Sequence, residues 1–174
     1  EFIQLDIGEV ALDAWMIKPQ NFDASKKYPI IFYVYGEPAS STVQDAWQDG
    51  ALWDRYLAQE GYIVVSIDNR GTRTPRGRAW RKSIYGQIGI LATHDQAAAA
   101  RKLLELYPFI DRNKVGMWGW SGGGQMTMNC LFRYPDIYKS GLAVAFVADQ
   151  RLYDNIYQER YMGLLEENEA NYID

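Results

Sequence analysis

The sequence predicts an α/β fold with a doubly wound, mostly parallel sheet, read as a single domain over residues 1–174. Two observations predict it. Short continuous apolar runs recur at 30–35, 62–67, 115–119 and 141–147. Helical patterns or helix stop signals fill the segments between them. Strands without polar alternation are those covered on both faces, and strands alternating with helices pair in parallel through right-handed crossovers.

The elements follow in order. Ile3, Leu5 and Ile7, then Val10, Leu12, Ala14 and Met16, keep a period of two on either side of Gly8-Glu9. That pattern predicts an antiparallel hairpin with one buried face. A polar loop leads to the strand at 30–35, and a loop over 36–50 follows. Leu52, Trp53, Tyr56 and Leu57 share one helical face, and Gly61 stops that helix. A strand over 62–67 runs into the turn residues Asp68-Asn69-Arg70-Gly71. Residues 70–92, rich in Gly and Arg, read as irregular. Thr93 with Gln96 fits a capping box that opens a helix through Leu106. Strand 115–119, helix 122–133 and strand 141–147 come next. The stretch 149–163 reads as helical, with Tyr153, Tyr157 and Tyr161 at spacing four. From Leu164 on, no element is evident.

Composition narrows the function classes. With 48% hydrophobic and 23% charged residues the chain is globular. A chain of 174 residues buries about 70% of its unfolded surface, enough for a core without staples. A net charge of −4 argues against nucleic acid as a partner. No apolar run approaches the length of a membrane span. A single cysteine, Cys130, excludes an internal disulfide and a cysteine-cluster metal site, and nothing in the sequence calls for a cofactor.

Gly119-Trp120-Ser121-Gly122-Gly123 stands where a strand meets a helix. Gly-x-Ser-x-Gly in that context makes a nucleophile elbow: a sharp turn lifts Ser121 to the carboxyl edge of the sheet. The N–H of Gly122 then faces a developing oxyanion at a helix N-terminus. This places the chain in the α/β-hydrolase fold. The base and the orienting acid of that fold follow the serine in chain order. The sole histidine, His94, precedes Ser121. The expectation is therefore a C-terminally incomplete domain, inactive alone. Carboxylates such as Asp149 or Glu159 are too acidic to replace the base.

Four stretches carry a resemblance: Val34-Tyr35-Gly36-Glu37-Pro38, Asp68-Asn69-Arg70-Gly71, Trp118-Gly119-Trp120-Ser121-Gly122-Gly123 and Tyr157-Gln158-Glu159-Arg160-Tyr161-Met162-Gly163. Together they resemble the catalytic domain of the dipeptidyl peptidase IV branch of the prolyl oligopeptidase family. The resemblance implies a serine exopeptidase that releases dipeptides or tripeptides from a free peptide N-terminus, after a penultimate Pro or Ala. It implies Ser121 as the acylated nucleophile, with Tyr35 completing the oxyanion hole beside the Gly122 amide. It implies Val147, Tyr153 and Tyr157 as pocket lining. It also implies a preceding β-propeller, a distal Asp and His outside these residues, a possible homodimer, and a periplasmic or extracellular location. Two positions depart from the pattern: Gly122 stands where the family has Tyr, and a pocket tryptophan is replaced near Gln150. On the residues alone, an esterase or acyltransferase and a non-catalytic module on the same fold stay open. Arg70, Arg73, Arg76, Arg78, Arg81 and Lys82 read as a solvated loop, or as one that pairs with carboxylates elsewhere.

Overall fold

The computed structural model describes residues 1–38, 40–47 and 50–173. Positions 39, 48 and 49, within the loop expected over 36–50, and position 174 lie outside them. Six strands form one sheet: β1 (Phe2–Asp6), β2 (Ala11–Ile17), β3 (Tyr28–Tyr33), β4 (Ile63–Asp68), β5 (Ile110–Trp120) and β6 (Ser140–Val144). Their spatial order is β1-β2-β4-β3-β5-β6. β3 pairs in parallel with both β4 and β5, and β6 continues in parallel beyond β5. The hairpin β1–β2 joins antiparallel at the β4 edge. The sheet is thus mostly parallel.

Among the described residues, four helices lie between strands, α1 (Ala51–Gln59), α2 (Gly77–Lys82), α3 (Ile90–Leu106) and α4 (Gly122–Arg133), and α5 (Asn155–Met162) follows β6. β4 is buried along its whole length, as its unbroken apolar run implies. β3 instead alternates, with Ile30 and Phe32 buried and Ile31 and Tyr33 half-buried. The main core joins these strands to the Ala-rich face of α3, to Met126 and Cys130 of α4, and to Tyr138. Ala97, Ala99 and Ala100 let α3 lie close on the sheet, where larger side chains would hold it off. Cys130 is a free, buried thiol within that core.

Several boundaries differ from the sequence reading. α3 opens at Ile90, not at Thr93, with Gly89 as its N-cap at φ 84°. Thr93 is already inside the helix, and its hydroxyl donates back to the Gly89 carbonyl. Gln96 is turned into the core, donating to Ile67 O at 2.8 Å and Asn69 Oδ1 at 3.0 Å. The capping box does not form, because Thr93 bonds back one turn to its own helix start and tertiary acceptors take Gln96. The segment 70–92, expected to be irregular, contains α2. The helix expected over 149–163 is split into a 3-10 turn (Gln150–Leu152) and α5, with Asp154 capping α5 through the Tyr157 amide at 3.0 Å. A short 3-10 turn (Glu169–Tyr172) lies in the tail. On α1 the apolar stripe faces outward: Leu52, Trp53 and Tyr56 are exposed, whereas Asp54 and Ala58 point inward.

Candidate active site

The site gathers at the carboxyl ends of β3, β4 and β5. Ser121 sits between β5 and α4 at φ 57° and ψ −118°, a conformation that a non-Gly residue adopts only when its surroundings impose it. Its amide donates to Val144 O at 2.9 Å, and its carbonyl accepts from Gln125 N at 3.1 Å. Both ends of the residue are thus held.

The glycines explain why the turn fits. A Cβ on Gly119 would lie 2.4 Å from the Gly123 carbonyl and 2.5 Å from Val34 O. A Cβ on Gly123 would lie 2.1 Å from Val34 O. Real Cβ atoms do not approach backbone so closely, so both positions need Gly. Thr127 Oγ1 donates to Gly123 O at 2.8 Å and locks the first turn of α4.

Tyr35 lies two residues past the end of β3, further along than the strand expected over 30–35. Its Cα is 3.1 Å from the position a Cβ on Gly123 would take, so its backbone abuts the elbow. Burial, then the nearby Glu37 and Tyr153, raise the pKa of the Tyr35 hydroxyl. It therefore stays protonated at neutral pH and can donate. Gly36 turns the chain at φ 75°, where Asn69 Nδ2 donates to its carbonyl at 3.0 Å. Asn69 is held in turn by Gln96.

The loop after Tyr35 is pinned to the end of β4. Asp68 accepts from Ser41 Oγ at 2.5 Å, Thr42 N at 2.9 Å and Val43 N at 3.2 Å. One turn on, Arg70 grips the fully buried Asp95 at 2.7 Å and reaches the exposed Glu9 at 2.9 Å. Arg76 pairs with Asp13 at 2.6 Å. The other cations of that segment divide from these two. Arg73, Arg78, Arg81 and Lys82 line an open cleft with Tyr85, Arg160 and Tyr161.

On the far side, Tyr153 follows the 3-10 turn and Tyr157 sits in α5. Although no single helix carries both, their rings meet edge to face at 5.6 Å, and Tyr157 meets Tyr161 at 4.9 Å. The Tyr157 hydroxyl is buried without a hydrogen-bond partner among the described residues. Gln150 accepts from Gln158 and ties the 3-10 turn to α5. Val147 is half-buried. It lines a cavity of about 660 Å³ with Gln150, Ile88, Phe132 and Met162, and neither tyrosine lines that cavity. His94 is exposed and pairs with Asp95 at 3.7 Å. Among the described residues no cluster of His, Cys, Asp and Glu could hold a metal ion.

Sequence reasoning did not assign Glu37 a role. Its side chain is 5% exposed and lies directly over Gly122. The available signal was a charged residue between Gly36 and Pro38, together with the absence of a side chain after the serine.

Comparison with known proteins fits this geometry. The prolyl oligopeptidase family matches residues 52–174. Dipeptidyl peptidase 4 of Porphyromonas gingivalis superposes with a TM-score of 0.91 at 40% identity, over 99% of this chain and 24% of that one. A dipeptidyl aminopeptidase IV from Bacteroides ovatus gives 0.91 at 39%, over 99% and 24%. Human prolyl endopeptidase FAP is 38% identical over 165 residues, which cover 94% of this chain and 21% of the relative. The chain thus spans about a fifth of the length of such curated relatives. Its strands, its elbow and its matched residues agree: the chain belongs to the prolyl oligopeptidase family, with the α/β-hydrolase fold.

Proposed function

We propose that the protein carrying this chain is a serine exopeptidase that cleaves dipeptides or tripeptides from a free N-terminus, after Pro or Ala. The observation that carries this reading is Ser121, held at φ 57° immediately before the first amide of α4, in a chain of this family. In the reaction, Ser121 Oγ attacks the carbonyl carbon of the scissile peptide bond and its proton passes to a base. The carbonyl oxygen becomes an anion that accepts from the Gly122 N–H and the Tyr35 hydroxyl. The tetrahedral intermediate collapses, the C–N bond breaks, and the protonated amine leaves an acyl enzyme. Water then releases the acyl group. Tyr153 and Tyr157, set edge to face, supply an aromatic wall suited to a proline ring.

The base comes from outside residues 1–174. The one histidine among them is exposed and turned to Asp95. A serine hydroxyl without a base is a weak nucleophile, so the 174-residue chain by itself turns over no peptide. The names of the relatives support a peptidase, and the tyrosine wall supports proline. The test is hydrolysis of a proline-dipeptide amide and of a short acyl ester by the full-length gene product. Turnover of the amide with little of the ester supports the proposal. Turnover of the ester alone points to an esterase and overturns it.

A further inference from the structure

Residue 122 is the first of α4, and its amide is the donor assigned to the oxyanion. A side chain leaving this residue would meet another already in place. A Cβ on Gly122 would lie 2.0 Å from Glu37 Cγ, 2.6 Å from its Cδ and 2.8 Å from its Oε1. The space beside the nucleophile is therefore filled from the loop after β3 instead of from α4. Glu37 carries a carboxyl there and is 5% exposed. Covalent geometry then keeps Oε1 within about 5 Å of the Gly122 nitrogen. The Tyr35 hydroxyl, the second assigned donor, has Glu37 as its strongest charged neighbour.

We propose that Glu37 is a positioning residue of the Ser121 site: its side chain replaces one at residue 122, braces both oxyanion donors, and must be neutral for the oxyanion to form. The proposal rests on the reading of Ser121 as nucleophile.

The transition state puts a new negative charge between the Gly122 amide and the Tyr35 hydroxyl. A carboxylate a few ångströms away opposes it, because two like charges in a buried site raise each other's energy. A neutral carboxyl does not. The titratable group set against Glu37 is the Tyr35 hydroxyl on its own loop, which Tyr153 and Tyr33 face in turn. No cation among the described residues acts on it; burial alone pushes its carboxyl up to about 7. The free amides at the start of α4 pull the other way, toward the charged form. The carboxyl thus changes state in the range where a serine peptidase works. Its burial holds it in place in both states.

The arrangement also makes residues 37 and 122 a coupled pair. A methyl group at 122 collides with Cγ, which lies near the root of the Glu37 side chain and cannot swing aside cheaply. Removing the Glu37 side chain opens that space again.

The test uses the full-length gene product and a proline-dipeptide amide, with kcat/KM followed from pH 5.5 to 9. Five proteins are compared: the parent, Glu37→Gln, Glu37→Gly, Gly122→Ala, and the double variant Glu37→Gly with Gly122→Ala. A separate portion of each is labelled with a fluorophosphonate at Ser121. In the parent, kcat/KM falls about tenfold on the alkaline side as Glu37 ionises. Glu37→Gln keeps the acid limb and loses that fall. Gly122→Ala lowers kcat/KM at least about tenfold, and Glu37→Gly in the same chain restores it to the level of Glu37→Gly alone. A Gln variant with the parent's alkaline limb, or a double variant no better than Gly122→Ala, overturns the proposal. A parent that does not label at Ser121 overturns the nucleophile reading instead, and the proposal with it.

Discussion

The two sides of the candidate site are built differently. On the elbow side, the main chain decides everything. Gly119, Gly123 and Val34 approach so closely that a single methyl group has no room. On the tyrosine side, rings lean on rings. Tyr153 is 40% exposed, and its neighbours Leu152 and Ile156 are 86% and 83% exposed. That side rests on a small satellite cluster of Ile84, Ile88, Met162 and Tyr172, separate from the main core. The contrast teaches where each property resides. The position of Ser121 is a property of backbone packing and tolerates no added atom. The tyrosine side is a property of side-chain contacts and can vary without loss of the fold.

The largest effect tests the first half of that contrast. Gly123→Ala drives a Cβ into the Val34 carbonyl and should destabilise the fold by about 3 kcal/mol or more. Urea denaturation of the full-length protein checks it, and an unchanged midpoint would show that the elbow yields. Tyr35→Phe comes next. It removes the hydroxyl proposed as an oxyanion donor and leaves the packing, so kcat should fall about 10²–10³-fold with little change in KM. Steady-state kinetics on a proline-dipeptide amide decide this, and a rise in KM with kcat unchanged would make Tyr35 a binding residue only.

On the other side, Tyr157→Ala removes two edge-to-face ring contacts from a half-buried position. The expected loss of stability is about 1–2 kcal/mol, smaller than at Gly123. The expected loss of activity is greater on proline than on alanine substrates, measured as the ratio of kcat/KM. Leu152→Ala should change stability by less than about 0.5 kcal/mol, since its side chain already faces solvent.

Asp54 of α1 offers a control outside both regions. It is 6% exposed, its Oδ1 has no partner among the described residues, and burial raises its carboxyl to about 6. The folded-state value lies above the ordinary 3.8. The folded chain therefore holds the proton more tightly than the unfolded one. Its contribution to stability is complete below about pH 4 and is lost as the pH rises through about 6. Asp54→Asn should flatten that decline and raise stability at pH 7 by about 1 kcal/mol. Thermal melts from pH 4 to 8 report it, and a parent whose stability does not decline in that window would contradict the assignment.

Much of this was legible in the sequence, and the reasons are physical. The period-two hairpin, the unbroken β4 run and Gly119-Trp120-Ser121-Gly122-Gly123 each record a local constraint, so the sheet and the elbow could be read directly. The start of α3 could not be read that way. Thr93 and Gln96 look like a cap, but the Gly89 carbonyl, Ile67 O and Asn69 take their side chains. The apolar stripe of α1 misled for a related reason: periodicity shows that a face exists, not which way it turns. Glu37 was hidden because its meaning depends on Gly122, distant in sequence and adjacent in space.

The central claim is that Ser121 is a nucleophile poised by its turn. The most direct measurement is fluorophosphonate labelling of the full-length gene product, with the adduct located by peptide mass spectrometry. One adduct is expected, on Ser121, absent from Ser121→Ala at equal folded concentration. Labelling that survives Ser121→Ala, or an adduct on another residue, would contradict it.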